Sequence, residues 1–218
     1  MTRSSDVSPR DEAVRATRLR ILQAAGDLML AGGYAQMTIA ELARTAGVSV
    51  QTVYNSVGGK AEVVKAVYDT MLAGDANSEP MSDRPEFRAM TEAVDLGSWA
   101  AAYAVWSSTI FQQVGPLLAA LLAHGPGGDP VLEQLVATMD AERRTGNGHA
   151  LRGPVDRRLL PPGTSTQHII DSVWVLTAPE VYDRLVHRSG WSVTEYEIWL
   201  ATQLRAALAG DATPSRDD

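Results

Sequence analysis

The sequence predicts an all-α protein in which a small N-terminal three-helix domain precedes a larger α-helical domain. Apolar residues recur at the three- and four-residue spacing of amphipathic helices along most of the 218 residues. Serine, threonine, aspartate, glycine and proline residues mark where these helices begin and end. No segment of useful length shows the polar and apolar alternation that is typical of a strand.

The composition excludes several kinds of site. The chain contains 0 Cys and therefore forms no disulfide and no thiolate metal site. Its 4 His lie far apart without a second ligand at helical spacing, so we expect no metal and no cofactor. No run reaches the roughly 18 apolar residues of a membrane span, and the N-terminus lacks the apolar core of a secretion signal. We expect a cytoplasmic protein without a membrane partner.

Charge is distributed unevenly along the chain. The net charge is −7, yet residues 1–66 carry 8 Lys or Arg against 6 Asp or Glu and are at +2, which leaves the remainder at −9. A mildly basic end on an acidic body suits a protein that presents only one face to phosphates.

The helix signals divide the chain into four parts. They predict a flexible arm at 1–10, a compact domain at 11–66, a second helical domain at 67–209 and a flexible tail at 210–218. Loops are predicted at 75–85, 145–148 and 152–163. Helices of the second domain are predicted at 95–114, shortly after 116, at 130–145, 164–177, 179–189 and 193–208.

Local signals are clearest in the N-terminal domain, whose first helix is predicted to start at 11 and end at 32–33. Thr38 with Glu41 forms a capping box that begins the second helix. Gly47 follows in a tight turn that requires positive φ, and Ser49 caps a short third helix. Lys60 begins the fourth helix.

The second and third helices have the layout of a helix-turn-helix. The third is predicted to bury Val53, together with Val48 and Val57. Its outward side carries short polar or methyl-bearing groups: Val50, Gln51, Thr52 and Asn55. Such groups suit base edges and phosphates, since a Gln amide pairs with adenine and a Val methyl contacts the thymine methyl. The alternative is a small packed bundle with a structural role only.

The order and spacing of these residues resemble the DNA-binding pattern of the TetR family of transcriptional regulators. The resemblance rests on the runs TIAELA at 38–43, AGVS at 46–49 and TVY at 52–54, followed by Lys60. It is strong over residues 15–67 and extends elsewhere only to the helical layout. It implies a homodimeric repressor that binds an inverted repeat in double-stranded DNA and is released by a small-molecule effector.

The resemblance also implies roles for single residues. Val50 and Gln51 would approach base edges, and Lys60 would hold a phosphate at the start of the fourth helix. The sugar-phosphate backbone would be held by Thr38, Ser49, Thr52 and Tyr54. For Tyr54 the alternative is a core aromatic with a bonded hydroxyl.

Ser56 and Val57 depart from the family pattern, which commonly has a His-Phe or Tyr-Phe pair there. Val57 fills less core than Phe, and Ser56 removes one potential contact. These departures leave the operator sequence open. They also leave open an interaction protein whose helix-turn-helix has lost DNA binding.

The second domain is predicted to bind the effector in a pocket lined by aromatic residues and a few polar groups. The candidates are Trp99, Tyr103, Trp106 and Gln113 on one helix, and Asp171 and Trp174 on a later one. Ordinary core packing of large side chains is the alternative. His149, His168 and the pairs at 143–144 and 157–158 are interpreted as solvated surface groups.

The last helix carries apolar residues on more than one face, so one face is predicted to meet a second subunit. Together with residues 165–178 it would form a four-helix dimer interface, as the resemblance suggests. The predicted interface residues are Ile170, Tyr196, Trp199, Leu200 and Leu204. The alternative is a large core within one subunit.

An enzyme is the rival class. The sequence contains no nucleophile elbow, P-loop, HExxH motif or Gly-rich dinucleotide fingerprint, so we expect no catalytic residues. An activator rather than a repressor is compatible with every residue named above.

Overall fold

The computed structural model describes residues 8–73, 84–122 and 129–209. The α-helices in these residues are α1 (Pro9–Gln36), α2 (Ile39–Ala46), α3 (Val50–Ser56), α4 (Lys60–Ala73), α5 (Pro85–Glu92), α6 (Leu96–Leu122), α7 (Pro130–Ala150), α8 (Arg152–Asp156), α9 (Thr166–Leu176), α10 (Pro179–Tyr182) and α11 (Val193–Ala209). A π-helical segment, Asp183–Arg188, follows α10. No strand occurs in the described residues, and the all-α prediction is confirmed. Among the described residues, no helix combines the length and the apolar content that a membrane span requires.

The chain divides into two compact units. Unit 1 comprises Met1–Gly74 and Pro116–Leu135, and unit 2 comprises Asp75–Gly115 and Val136–Asp218. This division differs from the predicted boundary at 66/67, because all of α4 and a later segment belong to unit 1. The predicted tail and most of the predicted arm and first loop lie outside the described residues.

Helix α1 begins two residues earlier than the sequence predicted. The Ser8 hydroxyl accepts a hydrogen bond from the Asp11 N–H at 3.2 Å, and Pro9 occupies the first helical position, where its missing N–H costs nothing. Residues 9 and 10 are therefore helical and not part of an arm. The predicted end at 32–33 coincides with a break, since Gly33 has φ 75° and ψ 169°.

Unit 1 is held together by the packing of α1 against α2, α3 and α4. Ile21, Ala25 and Met29 of α1 are fully buried, and so are Val63 and Val64 of α4. Burial of each of the larger side chains, such as Ile21 and Met29, stabilises the fold by about 1.5–3 kcal/mol. The short helices α2 and α3 therefore rest on a scaffold of two longer ones.

Helix α6 runs without interruption through Pro116, whereas the sequence predicted an end near Val114 and a separate short helix. Val114 and Leu117 are buried at 1% and 0% exposure. Burial of apolar side chains on both sides of the proline outweighs the one backbone hydrogen bond that proline removes. The preceding helix α5 was not predicted from the sequence. It begins at Pro85, which is the last residue of the predicted loop.

Helix α7 is also longer than predicted, because it continues through the Gly-containing residues 145–148 to Ala150. Asn147 is buried there, accepts a hydrogen bond from the Tyr103 hydroxyl at 2.6 Å and donates one to the Thr177 hydroxyl at 3.3 Å. These tertiary bonds outweigh the low helix propensity of Gly and Asn. The predicted loop at 152–163 likewise contains the one-turn helix α8.

The remaining caps are close to their predictions. The cap of α9 is Ser165, one residue after the predicted helix start at 164, since its hydroxyl accepts from the His168 N–H at 3.4 Å. At α11 a complete capping box begins the helix: the Ser192 N–H donates to the Glu195 carboxylate at 2.7 Å, and the Glu195 N–H donates to the Ser192 hydroxyl at 3.2 Å.

Candidate nucleic-acid interface

Two capped helices and one left-handed glycine build the candidate interface. The Thr38 hydroxyl accepts from the Glu41 N–H at 3.1 Å and begins α2. Gly47 ends it at φ 65°, a conformation that costs a residue with a Cβ about 1 kcal/mol. The Ser49 hydroxyl then accepts from the Thr52 N–H at 3.0 Å and begins α3. Each of these three signals is local and was readable in the sequence.

The inner side of the two helices is apolar. Leu42 and Val53 are fully buried, whereas Val48 and Val57 are only half-buried. Val53 is buried as predicted, whereas Val48 and Val57 are less buried than predicted. Arg18 of α1 donates to the Ser56 carbonyl and holds this end of α3 by its backbone.

The outer side of α3 is exposed over four residues at the spacing of one helix face. Val50 is 43% exposed and Tyr54 is 51% exposed. Gln51 and Asn55, which follow them in sequence, are also exposed. The Gln51 side-chain amide donates to Asn55 Oδ1 at 2.9 Å, which orders both side chains. The exposure of Tyr54 excludes the alternative of a core aromatic.

The predicted backbone-contacting hydroxyls lie at the starts of the two helices. The Thr38 and Ser49 hydroxyls each cap a helix, and the Ser49 and Thr52 oxygens are 2.8 Å apart. Thr52 is half-buried, while Thr38 and Ser49 are exposed. Their exposure at the starts of two helices is compatible with phosphate contacts, which stay a prediction.

Lys60 has surroundings that the sequence did not indicate. Its ammonium lies 4.0 Å from the centre of the Tyr34 ring and 3.5 Å from the Ala35 carbonyl oxygen. Burial lowers the pKa of Lys60, and the nearby Asp129 carboxylate opposes that effect. The Tyr34 hydroxyl donates to Asp129 at 3.1 Å, and burial together with this bond raises the pKa of Tyr34 to about 12.

In unit 2, two predicted pocket residues are core residues. Trp99 and Tyr103 are 0% and 4% exposed and stack at 4.9 Å. The Trp99 indole donates to the Ala150 carbonyl at 3.2 Å, and burial strongly raises the pKa of Tyr103. Trp99 and Tyr103 are therefore packed in the core, which is the alternative to lining a pocket.

Two other predicted residues keep accessible surface. Trp106 is half-buried and meets Phe87 edge-on at 5.6 Å. Gln113 is half-buried, and its Oε1 atom is buried without a hydrogen-bond partner among the described residues. An unpaired buried acceptor costs about 1–3 kcal/mol unless a ligand or water donates to it.

Asp171 and Trp174 join α9 to α7. Asp171 accepts from Arg144, and the Trp174 indole donates to Asp140 at 3.0 Å. Arg143, interpreted from the sequence as solvated, has a side chain only 16% exposed. It donates to the Trp174 and Thr177 carbonyls at 2.7 and 2.9 Å and to Asp140 at 2.6 Å, so that interpretation is wrong.

The predicted dimer residues of α11 require a correction. Tyr196, Leu200 and Leu204 are all 0% exposed within the chain itself, so they face its own core and have no surface for a second subunit. Trp199 and Ile170 are half-buried. The large apolar side chains that do point outward on these helices, Val175 at 57% and Ile198 at 64% exposure, were not among the predicted residues.

The α2–turn–α3 unit, with its buried inner side and exposed outer side, defines a helix-turn-helix. Residues 21–67 match the model of the bacterial regulatory proteins of the tetR family. The matched segment contains the whole α2–turn–α3 unit, so this part of the chain is similar to the DNA-binding region of the tetR family. No curated protein matches the chain.

Solved structures with a similar fold include three regulators of low sequence identity. A protein from Syntrophomonas wolfei assigned to the TetR family has TM-score 0.69 and 14% identity, covering 92% of this chain and 98% of its own. NalD, the secondary repressor of the MexAB-OprM multidrug efflux pump in Pseudomonas aeruginosa, has TM-score 0.64 and 17% identity over 90% and 98%. FadR from Bacillus subtilis, solved with stearoyl-CoA, has TM-score 0.63 and 13% identity over 87% and 98%.

Proposed function

We propose that this protein is a homodimeric transcriptional repressor that binds an inverted repeat in double-stranded DNA and leaves it when a small molecule binds. The observation that carries the proposal is the exposed face of α3, where an ordered Gln51 amide lies between Val50 and Tyr54. This face follows a capped turn in a segment that matches the TetR family.

Each end of α3 is held in place. Ser49 caps its first turn, and Arg18 binds its last carbonyl. Presenting side chains from a rigid helix lowers the entropy that binding must remove. Gln51 can offer both amide groups to an adenine edge once its bond to Asn55 is exchanged, and Val50 can contact a thymine methyl.

The test is selection of bound duplexes from a random DNA pool, repeated at rising salt. We expect an inverted repeat with half-sites about one helical turn apart. Its binding constant should fall steeply with salt, by a slope of about 0.9 for each phosphate contacted. A folded dimer that enriches no sequence would overturn the proposal.

Replacing Gln51 by alanine should weaken binding to the selected duplex about tenfold and relax base preference at one position in each half-site. The measurement is a competition assay over single-base variants of that duplex. Gln23→Ala is the matched control, because Gln23 makes the same kind of bond to Asp27, at 3.2 Å, on α1. A uniform loss over all variants, without relaxed preference, would contradict a base contact.

The dimer is proposed to form through the outward faces of α9 and α11, which pack against each other. Val175 and Ile198 expose more than half of their side chains there. Two such helices from each subunit would bury these residues in a four-helix interface.

Ile198→Asp should weaken dimerisation at least about tenfold, since it places a charge in a desolvated interface. Sedimentation over a concentration series measures the effect. Val94→Asp is the control, because Val94 is 78% exposed and lies outside both helices. An unchanged dimer in the Ile198 variant would exclude this face as the interface.

The effector is proposed to bind in the helical body. The half-buried Trp106 and the unpaired Gln113 Oε1 atom support this, because an apolar wall with a few polar groups is typical of small-molecule sites. The stearoyl-CoA complex of the similar FadR structure supports small-molecule binding in this fold. The effector must favour a dimer conformation that does not fit the operator, since equal affinity for both conformations would shift nothing.

A further inference from the structure

Unit 1 contains a group of side chains around Lys60 that the helix-turn-helix does not require. The Tyr34 ring lies under the Lys60 ammonium at 4.0 Å, and the Ala35 carbonyl is 3.5 Å away. Asp129 accepts from the Tyr34 hydroxyl at 3.1 Å. We call Tyr34, Ala35 and Asp129 the Lys60 clamp.

Asp129 has two separate functions in this arrangement. Its Oδ1 atom accepts from the Val131 N–H at 2.9 Å and caps α7, while its Oδ2 atom accepts from Tyr34. Its charge also favours the charged form of Lys60. One carboxylate therefore connects the start of α7 to the ammonium at the start of α4.

The clamp holds the ammonium incompletely. A lysine ammonium has three donors, but the one hydrogen bond that Lys60 makes to the described residues, to the Ala35 carbonyl, is long. The aromatic face compensates for only part of the lost hydration. A phosphate oxygen would be a stronger partner than either, because both groups would then be charged.

We propose that Tyr34 and Asp129 are positioning residues that hold the Lys60 ammonium in the free protein, and that Lys60 leaves them for a phosphate when DNA binds. The proposal rests on the proposed DNA-binding function. Since Asp129 also caps α7, the position of the first turn of α7 sets how strongly Lys60 is held. The clamp thus gives that helix an influence on DNA affinity.

The first experiment observes the clamp without DNA. In the NMR spectrum of the full-length protein, the Lys60 ε-methylene protons should be shifted upfield by the Tyr34 ring. Adding the selected duplex should move them back toward the position of an exposed lysine. A Lys60 signal without ring shift, or one that saturating DNA leaves unchanged, overturns the proposal.

The second experiment measures the energetic coupling. Asp129→Asn keeps a good helix cap through its Oδ1 atom, and its amide nitrogen can donate to the Tyr34 hydroxyl oxygen, but the charge that attracts Lys60 is removed. We expect it to tighten DNA binding about fivefold for a dimer. Asp27→Asn removes the same charge from the same unit outside the clamp and should change affinity less than about twofold.

A double-mutant cycle with Lys60→Met separates the clamp from a general charge effect. Lys60→Met should lower the salt slope by about 1 per subunit. In that background, Asp129→Asn should have no larger effect than Asp27→Asn. An undiminished effect of Asp129→Asn would overturn the proposal. If no duplex is selected at all, the proposed function and the release step both fail, while the upfield shift alone would still report the clamp.

Discussion

Replacing Leu204 by alanine is expected to lower the free energy of unfolding by about 3 kcal/mol or more. Leu204 is 0% exposed, so the change removes buried methyl groups and leaves a cavity in the core around α11. Urea unfolding followed by circular dichroism, at several protein concentrations, measures the loss. The concentration series is needed because a dimer gains stability by mass action.

Ile198→Ala is the matched control on the same helix. Because the Ile198 side chain is 64% exposed, truncating it should change the free energy of unfolding of the isolated subunit by less than about 0.5 kcal/mol. Equal losses for both variants at low protein concentration would contradict the assignment of the two faces of α11. The pair therefore separates residues of the core from residues available to a partner.

Replacing Arg143 by methionine should cost about 3 kcal/mol. The substitution removes the donor to two backbone carbonyls at the end of α9, those of Trp174 and Thr177, and the partner of Asp140. Methionine fills a similar volume but donates nothing, so the carbonyls lose their partner in a half-buried site. Thermal and urea unfolding measure the cost.

Arg144→Met provides the comparison from the next residue. Arg144 pairs with Asp171 at the surface, where both side chains are 43% exposed. An exposed ion pair contributes about 0–1 kcal/mol, so this variant should remain near wild-type stability. A larger loss at Arg144 than at Arg143 would contradict the described network.

The parts of the fold that were predicted from sequence are those determined by local chemistry. Thr38, Gly47 and Ser49 bond within three or four residues of themselves, so their identity alone determines the caps and the turn. The helix-turn-helix was predictable for that reason. The exposed positions Val50, Gln51 and Asn55 followed from the same register.

The features that could not be predicted from the sequence depend on contacts between residues far apart in the chain. Asn147 is helical because Tyr103 and Thr177 bond it across α6, α7 and α9. The Tyr34 hydroxyl and Asp129 are 95 residues apart, and no local pattern indicates their meeting. The apolar positions of α11 were recognised, but periodicity could not show which of its faces is covered by its own chain.

The bond from Arg18 to Ser56 has a consequence for how such a protein changes in evolution. Because Arg18 binds the main-chain carbonyl, the end of α3 stays anchored whatever side chain position 56 carries. Selection is then free to vary that side chain without loosening the helix. Under the proposed DNA-binding function, position 56 is accordingly a site to randomise in a library that seeks altered specificity.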